Sequence, residues 1–291
     1  MSDQVYDGIT YLSTIFKNTE ILRRFILHLD KTLPASAKVI IYCHDEKTFA
    51  ESKLLERSYV KFIKGSEDVF FTKAANVLIQ TALNDEKCLQ LCVLDSDCFI
   101  SDNFHAMNIK YIGKAGVFKN IELETSKALP AAFRIENKIF GIAKNLELIP
   151  YEKNIDSVDY CNGRGLFFPA SVVAEIGLWN DRFPLYGSDN EFSVRLSKKL
   201  KLHYVREAVV FSNSYETGEN VLVKKLSRLS RFKSLWSIRS SSNLRTRILF
   251  CWYAAPNKIL FFTWAIRSVV TAILINLSGD LLRPLTNFRK K

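Results

Sequence analysis

Leu91-Cys92-Val93-Leu94-Asp95-Ser96-Asp97-Cys98-Phe99-Ile100 is the stretch on which the reading of this chain turns. Four apolar residues run directly into two carboxylates one residue apart. An apolar run this short predicts a strand buried on both faces. In layered α/β sheets, ligands gather beyond the carboxyl ends of such strands. Neighbouring acids repel unless a cation sits between or beside them. A hard divalent ion, Mn2+ or Mg2+, carrying a phosphate is the natural occupant, because these ions take oxygen ligands.

Outward from this stretch the chain alternates between two periodicities. Gly8–Ile15 is apolar and β-prone. Asn18 or Thr19 caps a helix over Glu20–Leu33, with Ile21, Leu22, Phe25, Ile26 and Leu29 on one face and Pro34 just beyond its end. Lys38–Cys43 and Tyr59–Ile63 read as strands, Thr72–Leu83 as a helix and Cys88–Leu94 as a buried strand. This order predicts an α/β domain with a mostly parallel sheet. Residues 101–157 are less regular and read as excursions over that sheet.

The composition narrows the class. A chain of 291 residues with 48% hydrophobic residues, 11 Gly and 7 Pro is neither disordered nor collagen-like nor low in complexity. The net charge of +11 first suggests nucleic acid, but it is localised. Residues 220–291 hold 14 basic residues and one acid, Asp280, so the tail carries +13 and the body −2. No recognition helix, zinc module or aromatic strand motif accompanies the charge, so nucleic acid is not the expected partner. Six cysteines without Cys-x-x-Cys spacing predict reduced, buried thiols. With no basic and apolar leader at Met1–Asp7, they suggest a cytoplasmic location.

Two enzyme classes fit Asp-x-Asp after a buried strand. In haloacid-dehalogenase-like phosphatases Asp95 would be a nucleophile, although that motif runs on into Gly-Thr, where Cys98-Phe99 stands here. In nucleotide-sugar-dependent glycosyltransferases the pair holds the metal and the donor's diphosphate.

A second segment discriminates. Val158-Asp-Tyr-Cys-Asn-Gly163-Arg-Gly165-Leu-Phe-Phe-Pro169 precedes Gly177-Leu-Trp-Asn-Asp-Arg-Phe183 and then Ser188-Asp189-Asn-Glu191-Phe-Ser-Val-Arg195. This succession resembles family 2 of the glycosyltransferases, the inverting enzymes of GT-A fold that build bacterial envelope polysaccharides. Phe16-Lys17-Asn18 and Thr72–Asn76 resemble further family positions, so the likeness covers about residues 8–213.

The resemblance implies a GT-A, Rossmann-like mixed and mostly parallel sheet with flanking helices over residues 1–215. It also implies roles. Asp97 ligates the metal, with Asp95 beside it and near the donor ribose. Phe16, Asp45 and Asn76 lie on the nucleotide side, and Asp189 is the general base. Gly163, Gly165, Glu191 and Arg195 lie on the acceptor side. The donor is a UDP-, GDP- or dTDP-linked sugar and the acceptor a glycan hydroxyl. The chain departs from the family where Cys43-His44 precede Asp45, His44 reading as an exposed loop residue. It departs again where Ser212-Asn213 replace a metal-binding His. These departures also suit a catalytically inactive scaffold. The Gln-x-x-Arg-Trp motif of processive members is absent, which favours transfer of a single sugar.

Residues 216–291 read as a basic, amphipathic helical extension. Lys224, Lys225, Arg228, Arg231, Lys233, Arg239, Arg245 and Arg247 precede the apolar stretch Ile259–Leu277. Thr263, Arg267 and Thr271 place a polar stripe on that stretch, so a span is disfavoured. A helix lying in the interface of an anionic membrane is expected, with docking on the body as the alternative.

Overall fold

The structure, a computed structural model, describes residues 6–150, 155, 157–213 and 227–277. The chain begins β1 (Ile9–Ile15), α1 (Thr19–Thr32), β2 (Lys38–Cys43), α2 (Glu46–Ser52), β3 (Val60–Lys64), α3 (Phe71–Leu83) and β4 (Gln90–Val93). It continues with β5 (Cys98–Ile100), α4 (Phe104–Lys110), β6 (Ala115–Glu122), β7 (Ala128–Leu129), β8 (Ala132–Asn137) and β9 (Ile142–Asn145). The body closes with β10 (Tyr160–Cys161), β11 (Leu166–Pro169), α5 (Val173–Ile176), α6 (Ser188–Ser197) and β12 (Leu202–Ser212). Then follow α7 (Arg228–Ser234), α8 (Leu244–Ala254) and α9 (Lys258–Leu277).

The first elements form for the reasons the residues suggest. The Asn18 side chain accepts the Ile21 N–H and caps α1, which buries Leu22, Phe25, Ile26 and Leu29. β2 is buried over its last five residues, as a strand covered on both faces must be. Strands run β3-β2-β1-β4-β11-β6-β12-β5, with β7 on β6, and β10-β8-β9 form a second small sheet. β1 to β4 pair in parallel, β11 lies antiparallel between β4 and β6, and β6 and β12 are parallel again.

The chain winds outward through β2 and β3, then returns to lay β4 on the other side of β1. That reversal opens a crevice beyond the carboxyl ends of β1 and β4, where Phe16 and Asp95 follow.

Two expectations are corrected. The segment 101–157 holds β6, a strand inside the main sheet, flanked by β11 and β12. Its buried start, Ala115–Phe118, is short, and the charged positions around Lys119–Glu124 mask it. His44 is buried at 5% exposure, its ring edge-on to Phe16 and Tyr42. The aromatic neighbours and the Ile15 carbonyl, which accepts the His44 N–H, hold it inside. All six cysteines are buried free thiols.

The extension docks on the body. Val194 of α6 packs with Cys251 and Ala254 of α8 and Trp264 of α9. Trp264 donates its indole N–H to the Lys138 carbonyl at 2.7 Å and covers Gly141, where any β-carbon would collide with its ring. Thr263 bonds the Ile139 carbonyl and Arg267 the Gly141 carbonyl, so the polar stripe faces the β8–β9 turn. On the open side Ile259, Phe262, Ile266, Val270 and Leu274 are exposed. Among the described residues no helix is long and apolar enough to cross a membrane. Lys224, Lys225 and Asp280, and the boundary at 215–216, lie outside the described residues.

Trp264→Ala is expected to cost about 3–5 kcal/mol, the usual range for emptying a buried aromatic site. Denaturant unfolding checks this, and a loss under about 1 kcal/mol would show that α9 is not held by this contact.

Candidate active site

The Asp95-Ser96-Asp97 turn joins β4 to β5, with the Cys98 N–H closing it onto the Asp95 carbonyl at 3.1 Å. Asp97 is buried and Asp95 keeps 31% of its side chain exposed. Oxygens of both, with the Cys98 sulfur, lie within 4.8 Å of one another. Burial, reinforced by the charges of Asp97 and Asp95, pushes the Cys98 thiol well up, so it stays protonated and is no ligand for a hard ion. Two hard carboxylate oxygens beside an open crevice fit Mn2+ or Mg2+, with phosphate and water completing the shell. A hollow lined by Ile21, Arg24, Asp97, Phe99 and Asn213 adjoins the turn on the α1 side.

Asp189 arrives from the other wall. Gly187 adopts φ +81° and starts α6, which places Asp189 in its first turn. Its Oδ2 accepts the Gly163 N–H at 2.8 Å. Burial raises its pKa, the Asn190 and Gly163 N–H groups oppose that, and the charge of Asp95 adds to the rise. A carboxylate held above its ordinary range while hydrogen-bonded in place is a candidate proton acceptor.

Of the intervening turn, the sequence reading names Gly163 and Gly165 but not Arg164 between them. Arg164 donates from Nε to Asp95 Oδ2 at 2.8 Å, and Gly163 on one side of it holds Asp189. Gly165 has φ +74°, and a β-carbon there would stand 2.9 Å from Val210. A lone Arg between two glycines at the edge of an apolar strand was the available signal.

The remaining predicted residues divide. Phe16 follows β1 with half its surface exposed, placing an open ring at the crevice. Asp45 is buried and caps α2 through Thr48, and its other oxygen accepts the Lys17 N–H at 2.9 Å. Burial alone would raise its pKa, but these donors and the Lys17 charge bring it below the ordinary value. Asn76 accepts the Trp179 N–H at 2.9 Å and donates to the Trp179 carbonyl and Asp181, clamping the Gly177–Phe183 turn onto α3. Glu191 is 1% exposed and meets Arg195 in a bidentate pair at 2.8 and 3.0 Å. Arg195 also bonds the Ile176 and Leu178 carbonyls, so this pair locks α6 to the preceding turn. The structure thus brings Asp95, Asp97, Asp189, Gly163 and Gly165 together, and gives Asp45, Asn76, Glu191 and Arg195 internal partners.

This architecture is the GT-A fold of nucleotide-sugar glycosyltransferases. One similar structure is TarS from S. aureus, at TM-score 0.54 and 10% identity over 94% of this chain, which spans 55% of TarS. A shorter TarS chain, residues 1–349 solved with UDP-GlcNAc, gives TM-score 0.55 at 12% identity over 94% of this chain and 91% of its own. Mannosyltransferase PcManGT from Pyrobaculum calidifontis, solved with GDP-Man and Mn2+, gives TM-score 0.56 at 8% identity over 98% of this chain and 76% of its own. No family sequence model matches the chain, and no curated protein matches it by sequence.

Glu191→Gln is expected to destabilise the fold by about 3 kcal/mol, because it leaves the Arg195 guanidinium without its counter-charge. Nucleotide affinity of the folded fraction should stay within about twofold, a change of less than half a kcal/mol. Paired unfolding and titration measurements check this, and an affinity loss at unchanged stability would move Glu191 to the substrate.

Proposed function

We propose that this protein is an inverting glycosyltransferase that moves a single sugar from a UDP-, GDP- or dTDP-linked donor to a hydroxyl of a lipid-linked glycan. The acceptor would be an intermediate of envelope polysaccharide synthesis, met at the inner face of the cytoplasmic membrane. One observation carries the reading. The Asp-x-Asp carboxylates and a raised-pKa Asp189 flank one crevice of a GT-A fold, beyond the carboxyl ends of β1 and β4. The neighbours solved with GDP-Man and Mn2+ and with UDP-GlcNAc support the donor class.

Asp95 and Asp97 would hold the divalent ion, which supplies Lewis-acid charge to the departing diphosphate. Phe16 offers its exposed ring to the nucleobase. Asp189, fixed by Gly163, takes the proton of the acceptor hydroxyl as that oxygen attacks the anomeric carbon from the face opposite the diphosphate. The new glycosidic bond forms as the bond to the diphosphate breaks, so configuration inverts. Close packing of the Gly163–Gly165 backbone lets the acceptor approach this base.

The lipid-linked acceptor rests on the extension. Trp252, Ile259, Phe262 and Ile266 are exposed, and so are Arg239, Arg245 and Lys258 of the same extension. An exposed apolar helix face on an extension that also exposes cations suits the interface of anionic lipid.

Asp97→Ala and Asp189→Asn should each lower nucleotide release from donor plus acceptor, by about 10²–10⁴-fold for the base. Full activity in both would remove the mechanism. In the native protein Asp189 acts deprotonated, so the rate should fall as pH drops through its raised pKa, placing the acid limb above the ordinary aspartate range. A limb at the ordinary position would assign the base elsewhere.

The protein should float with phosphatidylglycerol vesicles and much less with phosphatidylcholine vesicles, and Phe262→Asp with Ile266→Asp should abolish flotation. Equal flotation of that variant would detach the apolar face from membrane binding.

A further inference from the structure

Arg164 places a cation inside the carboxylate cluster from a mount that cannot drift. Its carbonyl accepts Asn120 Nδ2 at 3.0 Å, the Gly165 N–H donates to the Val93 carbonyl at 2.8 Å, and the Phe118 N–H bonds the Gly165 carbonyl at 3.2 Å. The turn is thereby tied to β4 on one side and β6 on the other. From it the guanidinium reaches Asp95 Oδ2, with side-chain exposures of 24% and 31% for the pair, and its charge also feels Asp97.

Asp95 therefore has two claimants. A divalent ion at the Asp95–Asp97 pair needs oxygen lone pairs, and Arg164 occupies one of them. A guanidinium displaced from a carboxylate is well suited to the next anion at hand, because its planar fork matches phosphate as well as carboxylate. In this crevice that anion is the donor's diphosphate.

We infer that Arg164 is the resident counter-ion of the donor site: it neutralises Asp95 in the metal-free protein and turns to the donor's phosphate oxygens when a divalent ion takes Asp95. The inference rests on the sugar-nucleotide reading above. It adds to that reading a residue with two alternating partners.

The two partners give effects of opposite sign. In calorimetric titrations of the full chain, Arg164→Gln should bind Mn2+ alone about three- to tenfold more tightly, the equivalent of losing a modest, partly exposed ion pair as competitor. The same variant should bind UDP, GDP or dTDP, in saturating Mn2+, roughly tenfold more weakly through loss of a charged phosphate contact. Arg164→Lys keeps the charge without the fork and should fall between wild type and Arg164→Gln in both titrations, which also covers a poorly folding Gln variant. An arginine that merely props the turn would weaken both ligands together in Arg164→Gln, with a lowered melting temperature, and that result overturns the inference. Unchanged Mn2+ affinity overturns it too. Should the wild type bind none of the three nucleotides, the donor reading and the phosphate half fall together, while the Mn2+ titration still decides the counter-ion half.

Discussion

Asp95 and Asp189 are carboxylates of like charge that feel one another across the Gly163-Arg164-Gly165 turn, and the site depends on how that turn holds them. Like charges this close oppose ionisation, and the charge of Asp95 adds to the rise in the proton affinity of Asp189. The turn meets the difficulty at both ends. Its Gly163 N–H stabilises the charged form of Asp189, and its Arg164 guanidinium damps the charge on Asp95. The backbone demands follow. Gly165 sits at φ +74° against Val210, so a side chain there is strained, and a β-carbon at Gly163 would press on Asp189 Cβ at 3.2 Å.

The legible stretches of the sequence were those governed by local rules. β1, β2 and β4 are mainly apolar runs long enough to identify, and Asn18 announces α1 by capping chemistry. The Asp-x-Asp pair is legible because repulsion between neighbouring acids demands an explanation wherever a buried strand ends. Asp189 was legible only through resemblance, since an acid at a helix start is ordinarily a cap.

What escaped was set by distant partners. β6 becomes a central strand because β11 and β12 flank it, and half of its length alternates with charge. His44 looks solvent-bound beside Asp45, yet Phe16 and Tyr42 enclose its ring. Glu191 and Arg195, four apart on α6, had the spacing of a surface ion pair. Glu191 is buried instead, and Arg195 ties the pair to the carbonyls of the Ile176–Leu178 turn, which no local pattern announces. The Thr263–Arg267 stripe had the right helical spacing but the wrong expected surroundings. It meets backbone carbonyls of the β8–β9 turn, and the apolar residues face outward instead.

That inversion changes the meaning of the extension. The helix whose first turn carries Asp189 is the one whose Val194 packs on Cys251, Ala254 and Trp264, and Gly187 at its start abuts Thr246. α6 thus has the candidate crevice at its N-terminus and the extension along its flank. Stripping α8 and α9 away would expose that flank to water and remove the packing that fixes the helix start. Helices α8 and α9 are therefore built into the structure around Asp189, and their exposed apolar face projects from the same packed unit. A surface that captures Ile259, Phe262 and Ile266 would hold the candidate crevice at a fixed aspect, because rigid packing rather than a loose tether separates the two.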